Sequence, residues 1–511
     1  MNKIYKYIIL LIFITSIKGV AQNQINIEKE QWIEDIDFII RKAEGTIPDF
    51  KSTKNYTEFL DRMDMLKEGI RTLSYEQIIF GIQYALNSIS DEGCNIIPFQ
   101  KKLDVNVLPI KTYWFDEGLF ICDSAKEYSE YKGEEIIKIN NVDLNEVYSK
   151  IGRFINTDNE YYRKYLFTVY GTMPSLLNAA NLGESKQQVT LQFASGNETT
   201  ITAESVSEYI KLNRQLPNDE YFSATQKSHQ GENYWYEYLP DSNTLFVQIQ
   251  KVVNNDSGDS FSTFVNSIET EITSKKANKL IIDLRYGGGG NGFKLKGFTD
   301  LLKDQTSINN EGNLFVLTSN ATKGTLVELA SILSLNTKAI IVGLPTGEGP
   351  NMVGDTKYIE LPNSELSISL THTFWPTSWA SDKRTSITPD ILVSYSHKQH
   401  QMKEDPWLDA VSNYQIQTSK KLIPNQIKNA LIDTYKVSKR KVSIEEKQDK
   451  IYISMNRKMK SFFEFNSEIY YTSEGFLSTD IKDVYLEYNT SENGELTSLV
   501  MNWKGTILKL K

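Results

Sequence analysis

Apolar residues from Ile27 to about Lys101 recur at helical spacing, with Trp32, Ile36, Ile39, Ile40 and Ala43 on one face. Pro48 breaks that helix. Asn55-x-x-Glu58 and Ser74-x-x-Gln77 read as capping boxes opening two more helices, with stripes Phe59, Leu60, Met63, Leu66 and Ile78, Ile79, Ile82, Leu86. Between Leu103 and Glu204 the period shortens to strands at Leu119–Cys122, Ile136–Ile139 and Val189–Phe193. Tyr234–Leu239 and Thr244–Ile249 predict a hairpin, followed by an amphipathic helix over Phe261–Ile272. After Val411 a helix is expected over Gln426–Tyr435, then a charged, solvated connector over Lys436–Lys450. Short strands follow at Ile451–Ser454, Phe462–Phe465, Glu468–Tyr471, Asp483–Tyr488 and Leu499–Trp503, with a turn at Ser491–Gly494.

The stretch Lys279–Gly354 organises the chain. Three apolar runs, Leu280–Arg285, Leu314–Leu317 and Ala339–Val342, each end in a turn, and a helix over Thr325–Leu335 separates the last two. Fully apolar strands alternating with helices predict a parallel sheet, whose chemistry lies at the carboxyl ends of the strands. The first run breaks into Gly287-Gly288-Gly289-Gly290-Asn291. Such a run is either a flexible loop or a nest of backbone amides able to hold an oxyanion or a carboxylate. No Gly-Lys-Ser/Thr follows it, which disfavours a phosphate loop. Strand, turn and helix over Leu314–Leu335 have the shape of a nucleophile elbow. The turn reads Asn320-Ala321-Thr322-Lys323-Gly324-Thr325, however, and no serine stands at the helix start.

At these residues the chain resembles the tail-specific, or C-terminal-processing, serine peptidases, a family that includes the tricorn core. The strand Asp-Leu-Arg followed by glycines looks like the family's oxyanion segment, and Gly343-Leu344-Pro345-Thr346-Gly347 like its Gly-Glu-Pro-Thr-Gly turn. Leu361–Ser364, Thr388–Ile391 and Asp405–Ala410 match further segments, so the resemblance covers roughly Ile27 to Val411. It implies an α+β / α/β multidomain chain with a ClpP/crotonase-like α/β core. Expected divisions are a signal peptide over residues 1–21, a helical region over 22–103 and a PDZ-like β-domain over 104–204. The protease-like core would span 205–415, and a small antiparallel β-domain 416–511. The PDZ likeness rests on Gly133–Val142.

The departures bear on function. A gapless placement puts Gly324 at the family serine, or Thr325 if the register slips by one. Gly93, in Ser90-Asp91-Glu92-Gly93-Cys94-Asn95, stands at the histidine place of the tricorn-like branch. Glu348 and Gly349 follow Thr346-Gly347 where the processing branch has its lysine.

Composition narrows the setting. A net charge of −9 and a pI near 5.3 disfavour nucleic acid as a partner. Lys3 and Lys6 precede the apolar run Tyr7–Ile17 and Gly19-Val20-Ala21, which predicts a signal peptide cleaved after Ala21 and a secreted or periplasmic protein. No later stretch is apolar enough to span a bilayer. Cys94 and Cys122 either pair or remain separate buried thiols. His229, His372, His397 and His400 form no metal-ligand spacing, and Ser396–Gln401 reads as a solvated loop; no metal or cofactor is expected.

Three functions follow. One is a non-catalytic protein binding peptides or unstructured protein segments, with Gly288, Gly289 and the Thr325 amide forming the oxyanion nest. Another is an active serine-type peptidase with Thr325 as nucleophile and His372 or Glu328 as base. The third is an envelope interaction protein acting through its terminal β-domain.

Overall fold

The computed structural model describes residues 27–89, 92–96, 100, 103, 105–206, 232–255, 258, 260–416, 420–458, 462–472, 476–491, 493 and 495–511. The expected signal peptide and most of the 205–231 stretch lie outside these residues.

At the centre is a six-stranded sheet in the order Tyr234–Leu239, Thr244–Ile249, Lys279–Asp283, Leu314–Thr318, Ile340–Gly343, Ile391–Leu392. The first pair is antiparallel and every later pair parallel. Alternate residues of one strand serve opposite cores. Leu280, Ile282, Leu314 and Val316 pack with the helices Phe261–Lys275, Leu295–Asp304 and Thr325–Asn336, while Ile281, Phe315 and Leu317 pack with Trp235, Phe246 and Trp407. Burial on both faces is why these strands are apolar throughout.

Three helices, Lys29–Thr46, Lys54–Gly69 and Tyr75–Leu86, pack on one another and on the hairpin Lys357–Glu360/Ser367–Leu370. Asp35 is buried, and its two carboxylate oxygens accept the Asn363 and Ser364 amides, each at 2.9 Å, fixing the hairpin turn. The Ser74–Gln77 capping box forms, but the one expected at Asn55 does not. Thr53 is the N-cap there, so Asn55 already lies inside the first turn, and its amide donates to Ile89 O instead. The β-domain is an antiparallel sheet in the order Ile110–Trp114, Leu119–Ser124, Glu135–Ile139, Gln188–Phe193, Glu198–Thr202, covered by the helices Leu144–Gly152, Glu160–Tyr170 and Pro174–Ala179.

The C-terminal region departs most from expectation. The helix stops at Leu431, and Lys436–Lys450 is no connector but parts of three strands, Asp433–Val437, Arg440–Lys447 and Lys450–Met455. Eight antiparallel strands run in sequence order to Leu510, and paired backbone hydrogen bonds between Lys436 and Lys511 close them into a barrel. Its interior is filled by side chains such as Val442, Ile453, Phe465, Met501 and Trp503. Two expected strands, Phe462–Phe465 and Glu468–Tyr471, are one strand over Phe465–Tyr471. Among the described residues no helix is long and apolar enough to cross a membrane, and the two cysteines are buried and not joined in a disulfide.

Candidate functional site

The carboxyl ends of the central strands are locked together by the residues that carry the family resemblance. Arg285 is buried between two carboxylates: its Nε and Nη2 donate to Asp283, both at 3.0 Å, and its Nη1 and Nη2 donate to Asp405 at 2.9 and 3.0 Å. Such a fork satisfies all four carboxylate oxygens, as a buried charge requires. Asp405 also caps the helix Pro406–Ser412, from which Trp407 donates its indole N–H to Thr318 O at 2.9 Å. Gly343 lies beneath that indole, with no space for a Cβ.

The glycine run is not a loose loop. Gly290 bridges to Val252 and Gly288 to Lys323, both in parallel, so the run is stitched between two neighbours. A side chain at Gly287 or Gly290 would strike backbone at Gln250 or Val252. On the other side the strand Leu314–Thr318 turns into the elbow helix Thr325–Asn336 through Gly324, at φ 57 and ψ −133. That is a strand-to-helix turn with the shape of a nucleophile elbow, on a residue with no side chain, whose positive φ would strain any residue but glycine. A Cβ on Gly324 would lie 2.9 Å from the Gly289 amide nitrogen. The structure thus brings Gly288 and Gly289 directly against Lys323 and Gly324, with Thr325 next in the chain and buried.

The neighbourhoods of Gly93 and Gly349 reach the same point. Glu92, beside Gly93, places its carboxylate 3.1 Å from Lys323 Nζ, and Glu348 accepts the Gly324 amide at 2.6 Å. Lys323 also lies over the Tyr162 ring, 4.3 Å from its centroid. A Cβ on Gly93 would overlap Thr371 Cγ2, and one on Gly349 would overlap Arg384 O. Burial lifts the Glu92 carboxyl to about 7 against the pull of Lys323, with Glu348 pushing the same way as burial. Burial alone would draw Lys323 down, but Tyr162, Glu92 and Glu348 hold its ammonium well above the ordinary lysine value. It stays protonated at neutral pH and is no base.

The two bases proposed for Thr325 are placed differently. Glu328 is buried against Gly292 with Oε1 unpartnered, and burial raises it to about 7. His372 bonds the Thr373 hydroxyl through Nδ1 at 2.9 Å. It lies between the strands Ser367–Leu370 and Thr373–Pro376, which belong to different sheets. Among the described residues no group of His, Cys, Asp and Glu could hold a metal.

Sequence reasoning missed Glu92, Lys323, Tyr162 and Asn159. The first two each precede by one residue a position singled out in the sequence, Gly93 and Gly324, a signal that could have flagged them. Asn159 caps the helix Glu160–Tyr170 through the Tyr162 amide at 2.9 Å, and its Nδ2 donates to Thr346 O and Thr385 O at 2.9 and 2.5 Å. It fastens the β-domain to the Pro-Thr-Gly turn. The barrel reinforces the same loops: Trp503 donates to Ser378 Oγ at 2.9 Å, Ser378 to Asp382 at 2.6 Å, and Asp382 pairs with Arg384.

No family model and no curated protein matches the chain. Solved structures do. Mature CPAF complexed with lactacystin superposes with a TM-score of 0.53 at 12% identity, covering 75% of this chain and 97% of that one. Mature CPAF alone gives 0.51 at 12% identity, covering 75% and 96%. The photosystem II D1 C-terminal processing protease is also similar, with a TM-score of 0.35 at 12% identity over 72% and 94% of the two chains. The chain has the multidomain fold of a tail-specific, S41-like peptidase.

Proposed function

We propose that this protein is an exported, non-catalytic member of that fold, which binds peptides or unstructured protein tails without cutting them. The observation that carries the reading is the elbow itself. Gly324 holds an elbow-like backbone with no reacting atom, and a Cβ there would come within 2.9 Å of the Gly289 amide nitrogen. Loss of a nucleophile and its base leaves roughly the thousand-fold supplied by oxyanion stabilisation and binding, out of a total of order millions. The Gly288–Gly289 nest beside the elbow is the natural place for a peptide carbonyl or carboxylate. Export is inferred from the basic, then apolar, then small-residue pattern before residue 22.

The test uses purified protein lacking residues 1–21, offered an unstructured polypeptide. The expected result is saturable binding with hydrolysis at the background rate, unchanged by Thr325→Ala. Turnover that Thr325→Ala abolishes would replace this reading with an active peptidase.

A further inference from the structure

A cavity of about 410 Å³ lies between the β-domain strand Ile110–Trp114, the helix Glu160–Tyr170 and the carboxyl ends of the central strands. Its volume falls in the range of small-molecule sites, roughly 300–1,000 Å³. None of Glu92, Lys323, Gly324 or Glu348 lines it; the nearest elbow residue on its wall is Ala321.

The walls have a definite chemistry. Trp114, Tyr165 and Tyr286 present aromatic surface. Arg285 is shared between Asp283 and Asp405, so that group keeps one negative charge, and together with Glu404 it stands against Lys111, Lys164 and Lys403. Lys164 Nζ stands 5.6 Å from the centroid of the Trp114 ring, so cation and aromatic face form one surface. Burial draws Lys111 below the ordinary lysine value, and Asp123 pulls it back upward. On the elbow side Asn320 Oδ1 is buried without a hydrogen-bond partner.

We propose that this cavity is a binding site for a small amphipathic anion, an aromatic or similarly apolar body bearing a carboxylate or sulfonate. The body lies among Trp114, Tyr165 and Tyr286, and the acidic group meets Lys164. The site adjoins the elbow turn through Asn320 and Ala321 without including Lys323 or Gly324, and it does not depend on the peptide-binding reading.

The probe is 1-anilinonaphthalene-8-sulfonate, titrated into the purified protein lacking residues 1–21 and followed by fluorescence. One saturable site is expected. Lys164→Glu should weaken binding about tenfold or more, as loss and reversal of one close charge contact implies. Thr168→Trp, which fills the cavity from the helix, should abolish it, with melting temperatures unchanged in both variants. On the unaltered protein, 1-naphthol, which keeps the rings and lacks the charge, should compete at least about tenfold more weakly than 1-naphthalenesulfonate. That comparison decides the matter alone if the variants do not fold. Non-saturable fluorescence, equal affinity for the two naphthalenes, or binding undiminished in folded Lys164→Glu and Thr168→Trp overturns the proposal. Displacement of the probe by an unstructured peptide with a free C-terminus also overturns it, because the cavity would then be the end of a peptide groove.

Discussion

Glycine at positions 324 and 93 is held there by its neighbours. At Gly324 a side chain must accept φ 57 and ψ −133 and sit 2.9 Å from the Gly289 nitrogen. Gly324→Ser is therefore expected to cost about 1–3 kcal/mol of stability, the usual range for a side chain held in such a conformation. Its hydrolysis should stay within about tenfold of background, because a serine hydroxyl needs a positioned base. Denaturant unfolding and a peptidase assay check both, and strong hydrolysis by the single variant would reveal a base already in place. Adding Gly93→His brings the histidine Cβ against Thr371 Cγ2, so a further loss of about 1–3 kcal/mol from overpacking is expected rather than a gain in rate. Glu328 offers a cleaner measurement. Burial raises its carboxyl from 4.5 to about 7, so the folded state holds the proton longer than the unfolded state. The stability tied to this group is full below about pH 4.5 and falls as the pH rises through 7. Glu328→Gln should thus gain about 2–3 kcal/mol at pH 8 and little at pH 5. A gain of the same size at both pH values would show that the carboxyl is not held as described.

Among the elements, those of the core were legible because their chemistry is local. Leu314–Thr318 and Ile340–Gly343 are buried on both faces, and a run without polar residues bounded by glycine admits little else. The hairpin Tyr234–Ile249 and the Ser74 capping box were equally plain. The barrel was obscured by its outer face. In Arg440–Lys447 only Val442 and Ile444 are buried, so the charged residues between and after them resemble a solvated run until the neighbouring strands are in place. At the site the Glu92–Lys323–Tyr162 contact was not legible, since it joins residues from three separate segments. Asn159 is the same kind of case, and its worth can be measured. One buried amide caps a helix and satisfies two carbonyls from distant loops. Loss of an N-cap costs about 0.5–2 kcal/mol, and each carbonyl left unpaired about 1–3. Urea unfolding of Asn159→Ala should show a loss of about 2–4 kcal/mol, and a change below about 0.5 would mean that water replaces these bonds without penalty.

For the molecule as a whole, the β-domain meets the core through an aromatic contact that carries two histidines. His397 and His400 lie on the helix His397–Gln401, which replaces the solvated loop expected there. His397 stacks on Phe120 at 4.2 Å, and His400 packs against Phe115 and bonds the Tyr395 hydroxyl through Nδ1 at 3.0 Å. Burial lowers His397 and takes His400 to about 4, where the charge of His397 adds to the burial; Glu117 pulls His397 upward. Asp116, the other acid at this junction, is occupied by the Ser394 hydroxyl and the Tyr395 amide. A base whose folded value lies below 6.5 is held neutral by folding, so its contribution is full above about pH 6.5 and is lost as the pH falls toward 4. This is opposite in sign to the buried carboxyls Glu92 and Glu328, whose contributions grow as the pH falls from about 7. Global stability therefore changes less with pH than either set implies, while the domain junction loosens in acid. Hydrogen exchange over Trp114–Ile121 should quicken between pH 7 and pH 5 relative to the central strand Leu314–Thr318, by an amount equivalent to about 2 kcal/mol. His400→Phe keeps the ring packing and removes the titration, so in that variant most of the extra acid sensitivity should vanish. Unchanged acid sensitivity in His400→Phe would place the titrating group elsewhere in the molecule.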